Sequence, residues 1–278
     1  MEPQRKYKSN IFSPDFSSVL ERKLIAILSK SGPTLPLGGL PVTWSDRNTV
    51  AEAFISHALL ARHFEMPPFY STSANGQVIV LCDEDAEIRK EFLCADQILA
   101  DGMPMVLFSK IKHELPSIER VATTDLFHDV AKRAERAGVS FYFLGGDETS
   151  NKLAVEKSVE KYPNLIVTGR RNGYFNMQEE EKIVEEINAA KPDIVWVGMG
   201  VPREQKFVSR NLNKLTNVGV VKTSGGLFDF LSLKRSRAPD WMQSAGLEWF
   251  YRTLLEPRRL GIRYLQTNHK AIFKMWTG

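Results

Sequence analysis

Four times in the second half of the chain, a short apolar run stops at glycine and a helical pattern takes over. Phe141–Leu144 gives way to Gly145-Gly146 and then to a helix predicted from Thr149 to Lys161. Leu165–Thr168 ends at Gly169-Arg170 ahead of a helix from Gln178 to Ala189, and Ile194–Val197 ends at Gly198-Met199-Gly200 with Pro202 in the first turn of the next helix. Val218–Lys222 ends at Ser224-Gly225-Gly226. Strand, glycine and helix repeated at this spacing predict an α/β fold, a mostly parallel sheet covered by helices.

The first half carries the same grammar less regularly. Val19–Leu28 suits a short amphipathic helix, Leu40–Thr43 an edge strand, and Thr49 to Glu52 has capping-box spacing for a helix through Leu59. Phe69–Ser73 reads as a strand, Val78–Leu81 as either strand or buried helix, and Glu84–Ala95 as a helix. Thr124 or Asp125 is placed to cap a helix ending at Gly138. Between these lies Gln97-Ile98-Leu99-Ala100-Asp101-Gly102-Met103-Pro104, an apolar run that ends in an acid. In open parallel sheets ligands bind beyond the carboxyl ends of strands, which puts Asp101 where chemistry occurs. Asp-Gly is also ordinary turn chemistry, so a plain turn or cap acid fits the same residues.

Composition narrows the class. The 278 residues are 43% hydrophobic and 25% charged, globular values that exclude a disordered chain. Cys82 and Cys94 are too few for a disulfide framework or a thiolate zinc site and fit a reducing compartment. No leader-like segment and no apolar run near the ~20 residues of a membrane span is visible, so the expected location is cytoplasmic. The net charge of +4 is unevenly placed. Residues 231–278 hold nine Lys/Arg against three Asp/Glu, a net +6, which leaves −2 for residues 1–230. A basic tail implies an anionic partner.

That tail is also aromatic. Trp241, Met242, Leu247, Trp249, Phe250, Leu254 and Leu255 recur at helical spacing, Pro257 interrupts, and Leu260 to Trp276 continue among cations. Such a segment suits a membrane interface. A helix pair packed on the domain with a solvated basic face fits the pattern equally.

The local motifs are sparse. Gly198-Met199-Gly200 lacks the third glycine of a dinucleotide fingerprint, and no Walker-type loop or G-x-S-x-G occurs. Asp83-Glu84-Asp85 matches a metal-holding D-x-D, although Asp83 as a helix cap explains it too. His57, His63, His113, His128 and His269 are scattered, without metal-ligand spacing. Arg252, Arg258, Arg259 and Arg263 crowd around Pro257 and could clamp a diphosphate.

Taken in order, several stretches resemble the WecG/TagA/CpsF family of bacterial glycosyltransferases over roughly residues 37–265. They are Ala100–Pro104, Phe143–Gly146, Gly169–Phe175, Gly198–Lys206, Arg237–Trp241, Gly246–Arg252, Glu256–Leu260 and Arg263-Tyr264. The resemblance implies a Rossmann-like sheet with helices on both faces and a basic C-terminal helical appendage. It divides the chain into an N-terminal extension (1–36), a catalytic domain (37–235) and a membrane-associating appendage that completes the site (236–278).

The implied activity is metal-independent, inverting transfer of a hexose or N-acetylhexosamine from a UDP-sugar to a polyprenyl-diphosphate-linked saccharide. It would take place at the inner face of the cytoplasmic membrane, in cell-surface polysaccharide synthesis. The implied partners are donor, acceptor and an anionic lipid surface, with a second copy of the chain left open and neither cofactor nor nucleic acid included. Asp101 takes the place of the family's general base and Ser73 and Asn75 that of its T-x-N element, with Thr72 adjacent, so that the resemblance implies Asp101 and Ser73 as catalytic and Thr72 and Asn75 as substrate-binding. The implied substrate-binding set adds Gly102, Gly145, Gly146, Arg170, Tyr174, Gly198, Gly200, Pro202, Glu204, Gln205, Gly225 and Gly226, with Arg252, Arg259 and Arg263 from the tail. The alternative is a Rossmann-like module that binds lipid or nucleic acid without turnover.

Overall fold

A computed structural model describes residues 32–277, apart from Glu65 and residues 113–117. The helix expected over Val19–Leu28 lies outside the described residues. An antiparallel hairpin, β1 (Thr34–Leu37) and β2 (Leu40–Thr43), comes first and is followed by helix α1 (Arg47–His63). The chain then runs β3 (Phe69–Ala74), α2 (Gly76–Glu84), α3 (Ala86–Leu93), β4 (Gln97–Ala100), α4 (Met103–Lys112) and α5 (Thr123–Ala137). It continues β5 (Ser140–Gly145), α6 (Glu148–Lys161), β6 (Ile166–Arg171), α7 (Glu180–Ala190), β7 (Ile194–Gly198), α8 (Arg203–Asn211) and β8 (Val220–Thr223). The remainder is helical: α9 (Leu227–Leu231), α10 (Asp240–Ser244), α11 (Glu248–Leu255), a π-helical turn at Pro257–Gly261 and α12 (Ile262–Thr277).

Strands β3 to β8 form one sheet in the order β4-β3-β8-β7-β5-β6, every neighbouring pair parallel. The fold is therefore α/β and Rossmann-like. From β3 the chain moves out to one edge at β4, and from β5 to the other edge at β6, so the central β7 and β8 are filled last. Connections that leave the middle of a sheet in opposite directions open a crevice at the strands' carboxyl ends.

Alternation along the strands builds two cores. Phe141 and Phe143 pack with Trp196 and Phe127 under α1, α5, α6 and α9, while Tyr142 and Leu144 point to the opposite face and meet Val195, Val197 and the apolar side of α7 and α8. A third cluster joins the hairpin and α2 to β4. Met275 and Ala271 of α12 are buried in it.

The local signals resolve into somewhat different elements from those expected. Helix α1 begins at Arg47 because Asp46 accepts the amide of Thr49 at 2.9 Å, so the capping carboxylate lies three residues before the expected Thr49 box. Val78–Leu81 is helical, and the single helix expected over Glu84–Ala95 is divided at Asp85. Asp85, rather than Asp83, is the cap, taking the amides of Glu87 and Ile88. Helix α5 starts at Thr123 with no side-chain cap, so neither Thr124 nor Asp125 performs that task.

Strand β6 does not end at Gly169 but runs through it to Arg171, with a register shift against β5. A Cβ at Gly169 would lie 2.5 Å from the Tyr142 ring. The glycine therefore marks an irregular strand pressed by an aromatic, not a strand end.

Candidate active site

A cavity of about 620 Å³ opens at the carboxyl ends of the strands. Ser73 and Asn75 enter it from the end of β3, Asp101 from β4, Gly198 and Gly200 from β7, and Thr223 to Gly226 from β8. Glu248 and Arg252 of α11 line the same cavity, so this C-terminal helix forms part of its wall.

Asp101 is the first residue after β4, and its amide donates to Ala74 O at 2.9 Å, which fixes the turn between the two strand ends. One carboxylate oxygen accepts the Thr123 hydroxyl at 3.1 Å. Burial raises the pKa of Asp101, and the positive charges of Arg120 and Lys222, with the Thr123 hydrogen bond, pull the other way. The N-cap position of α5 is Ala122, which has no side chain able to cap. Thr123, in the first turn, directs its hydroxyl at Asp101 instead of at its own helix.

Lys222 is fully buried on the central strand β8. Its ammonium donates to Ser73 Oγ at 2.8 Å and to the Thr223 carbonyl at 2.7 Å. Burial lowers its pKa to about 8, opposed by the negative charges of Asp101 and Glu204. Nothing in the tail's charge balance points to this residue. The available signal was a single cation inside a run predicted to be a buried strand.

Glu204, at the start of α8, is also buried, and its carboxylate accepts the amides of Met199 and Gly200 at 3.1 and 3.0 Å and that of Gly225 at 3.0 Å. One side chain thus ties the loop after β7 to the loop after β8. Its pKa is raised by burial against those three amides and Lys222. Gln205 lies beneath it, away from the cavity, donating to Thr72 Oγ1 at 3.2 Å. Of the pair, Glu204 lines the cavity and spends its oxygens on the backbone. The end of β5 is pressed as closely on the end of β7: at Gly145 φ is +136° and a Cβ would stand 2.1 Å from Gly198 O.

Charges of both signs surround the opening. Arg120 bonds Glu248 at 2.6 Å, and Glu248 lies 3.6 Å from Arg237, which pairs with Asp125. Asp147 caps α6 and meets Lys234 at 2.5 Å, which holds its carboxyl down at about 2. Arg252 stacks on Phe230, 5.5 Å from the ring centre.

The structure brings Ser73, Asn75, Asp101, Gly146, Tyr174, Gly198, Gly200, Glu204, Gly225, Gly226 and Arg252 to this one cavity. It does not bring Thr72, Gly102, Gly145, Arg170, Pro202 or Gln205 to its lining. Arg170 instead pairs with Glu148 at 2.7 Å, and Thr72 is buried between strands, where it accepts the Thr223 hydroxyl at 2.7 Å. The side chains of Arg259 and Arg263 lie outside the described residues. Residues that the sequence reading did not single out are Arg120, Thr123, Lys222 and Asp147. Arg120 and Thr123 follow a stretch without pattern and carry no local signal.

Asp83 and Asp85 are occupied elsewhere, Asp83 with Lys274 of α12 at 2.5 Å and Asp85 as a helix cap. Compared with known families, residues 37–277 match the model described as the glycosyl transferase WecG/TagA/CpsF family.

Proposed function

Because the chain belongs to the WecG/TagA/CpsF family of glycosyltransferases, we propose that Asp101 is the general base of an inverting transfer from a UDP-sugar. The acceptor is a polyprenyl-diphosphate-linked saccharide used in building cell-surface polysaccharide. The observation that carries this reading is the position of Asp101, a carboxylate after a parallel strand in a cavity that also holds Arg120 and Arg252.

In the proposed step, Asp101 takes the proton of an acceptor hydroxyl as that oxygen bonds to the sugar's anomeric carbon. The bond from that carbon to the UDP oxygen breaks on the opposite face. The electron pair leaves with the diphosphate, whose growing charge the guanidinium groups of Arg120 and Arg252 stabilise without a metal ion. Ser73 and Asn75 flank the base, and the glycine loops after β7 and β8 offer backbone approach for the nucleotide.

The acceptor is a lipid, and the surface beside the cavity suits one. Leu254 and Leu255 of α11, with Ile272, Phe273 and Trp276 of α12, are exposed, as are Leu107 and Ile111 of the neighbouring α4. Phe108 and Trp276 meet edge to face, which joins α4 to α12. Exposed apolar side chains next to a basic tail support docking to an anionic membrane at its inner face. No helix among the described residues is long and apolar enough to cross a membrane.

The test is UDP release from a panel of UDP-sugars with a short-chain prenyl-diphosphate-sugar acceptor. Wild-type protein should turn over one donor, and Asp101→Asn should lose about 10²–10⁴-fold in rate. Unchanged turnover in Asp101→Asn would remove the base assignment, and no turnover on any donor would favour a binding module.

A further inference from the structure

Lys222, Ser73, Thr123 and Asp101 form an unbroken line of hydrogen bonds across three strand ends and the start of α5. The distances are 2.8 Å from Lys222 Nζ to Ser73 Oγ, 3.3 Å from Ser73 Oγ to Thr123 Oγ1, and 3.1 Å from Thr123 Oγ1 to Asp101 Oδ2. Its direction is set at the head. An ammonium only donates, so Ser73 Oγ must accept from it and is free to send its own proton on to Thr123. Thr123 then sends its proton to the carboxylate.

We propose that Lys222 is a positioning residue for the reaction, acting through Ser73 and Thr123 to keep Asp101 ionised and to reserve its second oxygen for the acceptor's proton. This rests on the reading of Asp101 as the base. The need for such a device is physical: a carboxyl withdrawn from water favours its neutral form, and a neutral carboxyl cannot take a proton. Hydrogen bonds in a chain polarise one another, and a cation at one end strengthens the donation at the other.

The relay is not the only charge on either terminus. Asp101 also feels Arg120, whose charge favours its ionised form, and Glu248, whose charge opposes it. Lys222 is held charged by Asp101 and by Glu204.

Lys222→Met removes the ammonium at nearly constant length, and Thr123→Val cuts the line while leaving the charge in place. The experiment measures kcat/KM against pH by UDP release for wild type, both single variants and the double variant. In parallel, an NMR titration of protein labelled at its Asp carboxyl carbons follows Asp101, assigned by its loss in Asp101→Asn. Both single variants should move the acidic limb and the Asp101 titration to higher pH. Activity should fall about 10–100-fold near pH 6 and recover in part at pH 8.

The double variant should shift by clearly less than the sum of the two single shifts, because part of what each residue does passes through the other. An Asp101 titration unmoved in Thr123→Val would overturn the relay, as would additive shifts in the double variant. If Lys222→Met does not fold, Ser73→Ala decides, because it cuts Lys222 from Thr123 and leaves the Thr123–Asp101 bond, and an Asp101 titration unmoved there would overturn the relay. Full activity in Asp101→Asn together with shifted titrations would instead sink the base assignment and leave the coupling standing.

Discussion

The sheet-end loops face helix α11 across one cavity, and they and the C-terminal helices are held by opposite means. The loops after β7 and β8 are fastened by a buried carboxylate, Glu204, that serves three backbone amides within 3.1 Å. Helices α11 and α12 attach through side-chain ion pairs, Glu248 with Arg120, Lys270 with Glu84 and Lys274 with Asp83, and through a small buried patch at Ala271 and Met275. Buried bonds to backbone hold one geometry, while the more exposed pairs at Lys270 and Lys274 are screened by salt and contribute little each. One wall of the site is prebuilt. The other is attached mainly through side chains and carries exposed apolar residues on its outer face.

The strongest way to break this contrast is Glu204→Leu. It leaves the amides of Met199, Gly200 and Gly225 without their acceptor, and each such loss costs about 1–3 kcal/mol when buried. Water reaching the cavity lowers that sum, so the expected loss is about 2–4 kcal/mol, read as a fall in the urea midpoint with an unchanged slope. A loss below ~1 kcal/mol would show that the loops hold without the carboxylate.

Acid should act at the opposite end of the sheet, where β3 begins. His57 is buried, stacks on Phe69 at 4.2 Å between ring centres, and is held down at about 4 by burial. Its folded pKa lies below its unfolded value near 6.5, so the unfolded chain binds the extra proton between pH 6.5 and 4. Stability therefore falls as pH drops through that window and is unaffected by this group above it. At ~1.4 kcal/mol per pH unit the full effect is on the order of 3 kcal/mol. His57→Phe keeps the stacked ring and removes the titration, so its melting temperature should decline less from pH 6.5 to pH 4 than that of wild type.

The same division explains what could be read beforehand. Strand positions β5 and β7 follow from continuous apolar runs, since a strand buried on both faces needs no polar alternation. Asp101 was legible as a strand-end acid, and resemblance to the family added its role. Its support was not legible: Lys222 is distant in sequence, and a polar network is assembled by strand order rather than by spacing. Thr123 illustrates the difficulty, because its helix lacks the side-chain cap that sequence rules expect and its hydroxyl serves another element. The tail's chemistry was legible as composition, while Glu248, the residue that joins it to Arg120, reads locally as a common first-turn acid.

The attachment should yield to a milder change. In Glu248→Gln the ion pair with Arg120 becomes a hydrogen bond from the guanidinium to an uncharged amide oxygen, and Arg237 keeps Asp125. Both partners are mostly buried, so the loss should exceed that of a surface pair and reach about 1 kcal/mol. Hydrogen exchange in α11 should quicken while β7 and β8 remain protected. Raising the salt concentration on wild type should quicken exchange in α12 instead, because the pairs at Lys270 and Lys274 weaken together. Equal exchange in both regions would mean that α11 and the sheet open as one unit.

The smallest effect on folding should come from Leu254→Glu, at an exposed position on α11. Folding stability should stay within ~0.5 kcal/mol of wild type, as for most surface substitutions. Binding to vesicles containing anionic lipid is the sensitive readout. Seating a leucine in the acyl boundary contributes about 1.5–3 kcal/mol, so its loss weakens binding roughly 10–100-fold, and the added negative charge adds to the penalty. If Leu254→Glu floats vesicles as well as wild type, the outer face of α11 does not meet lipid. Docking would then fall to α4 and α12, where Leu107, Ile111 and Phe273 are the next substitutions to make.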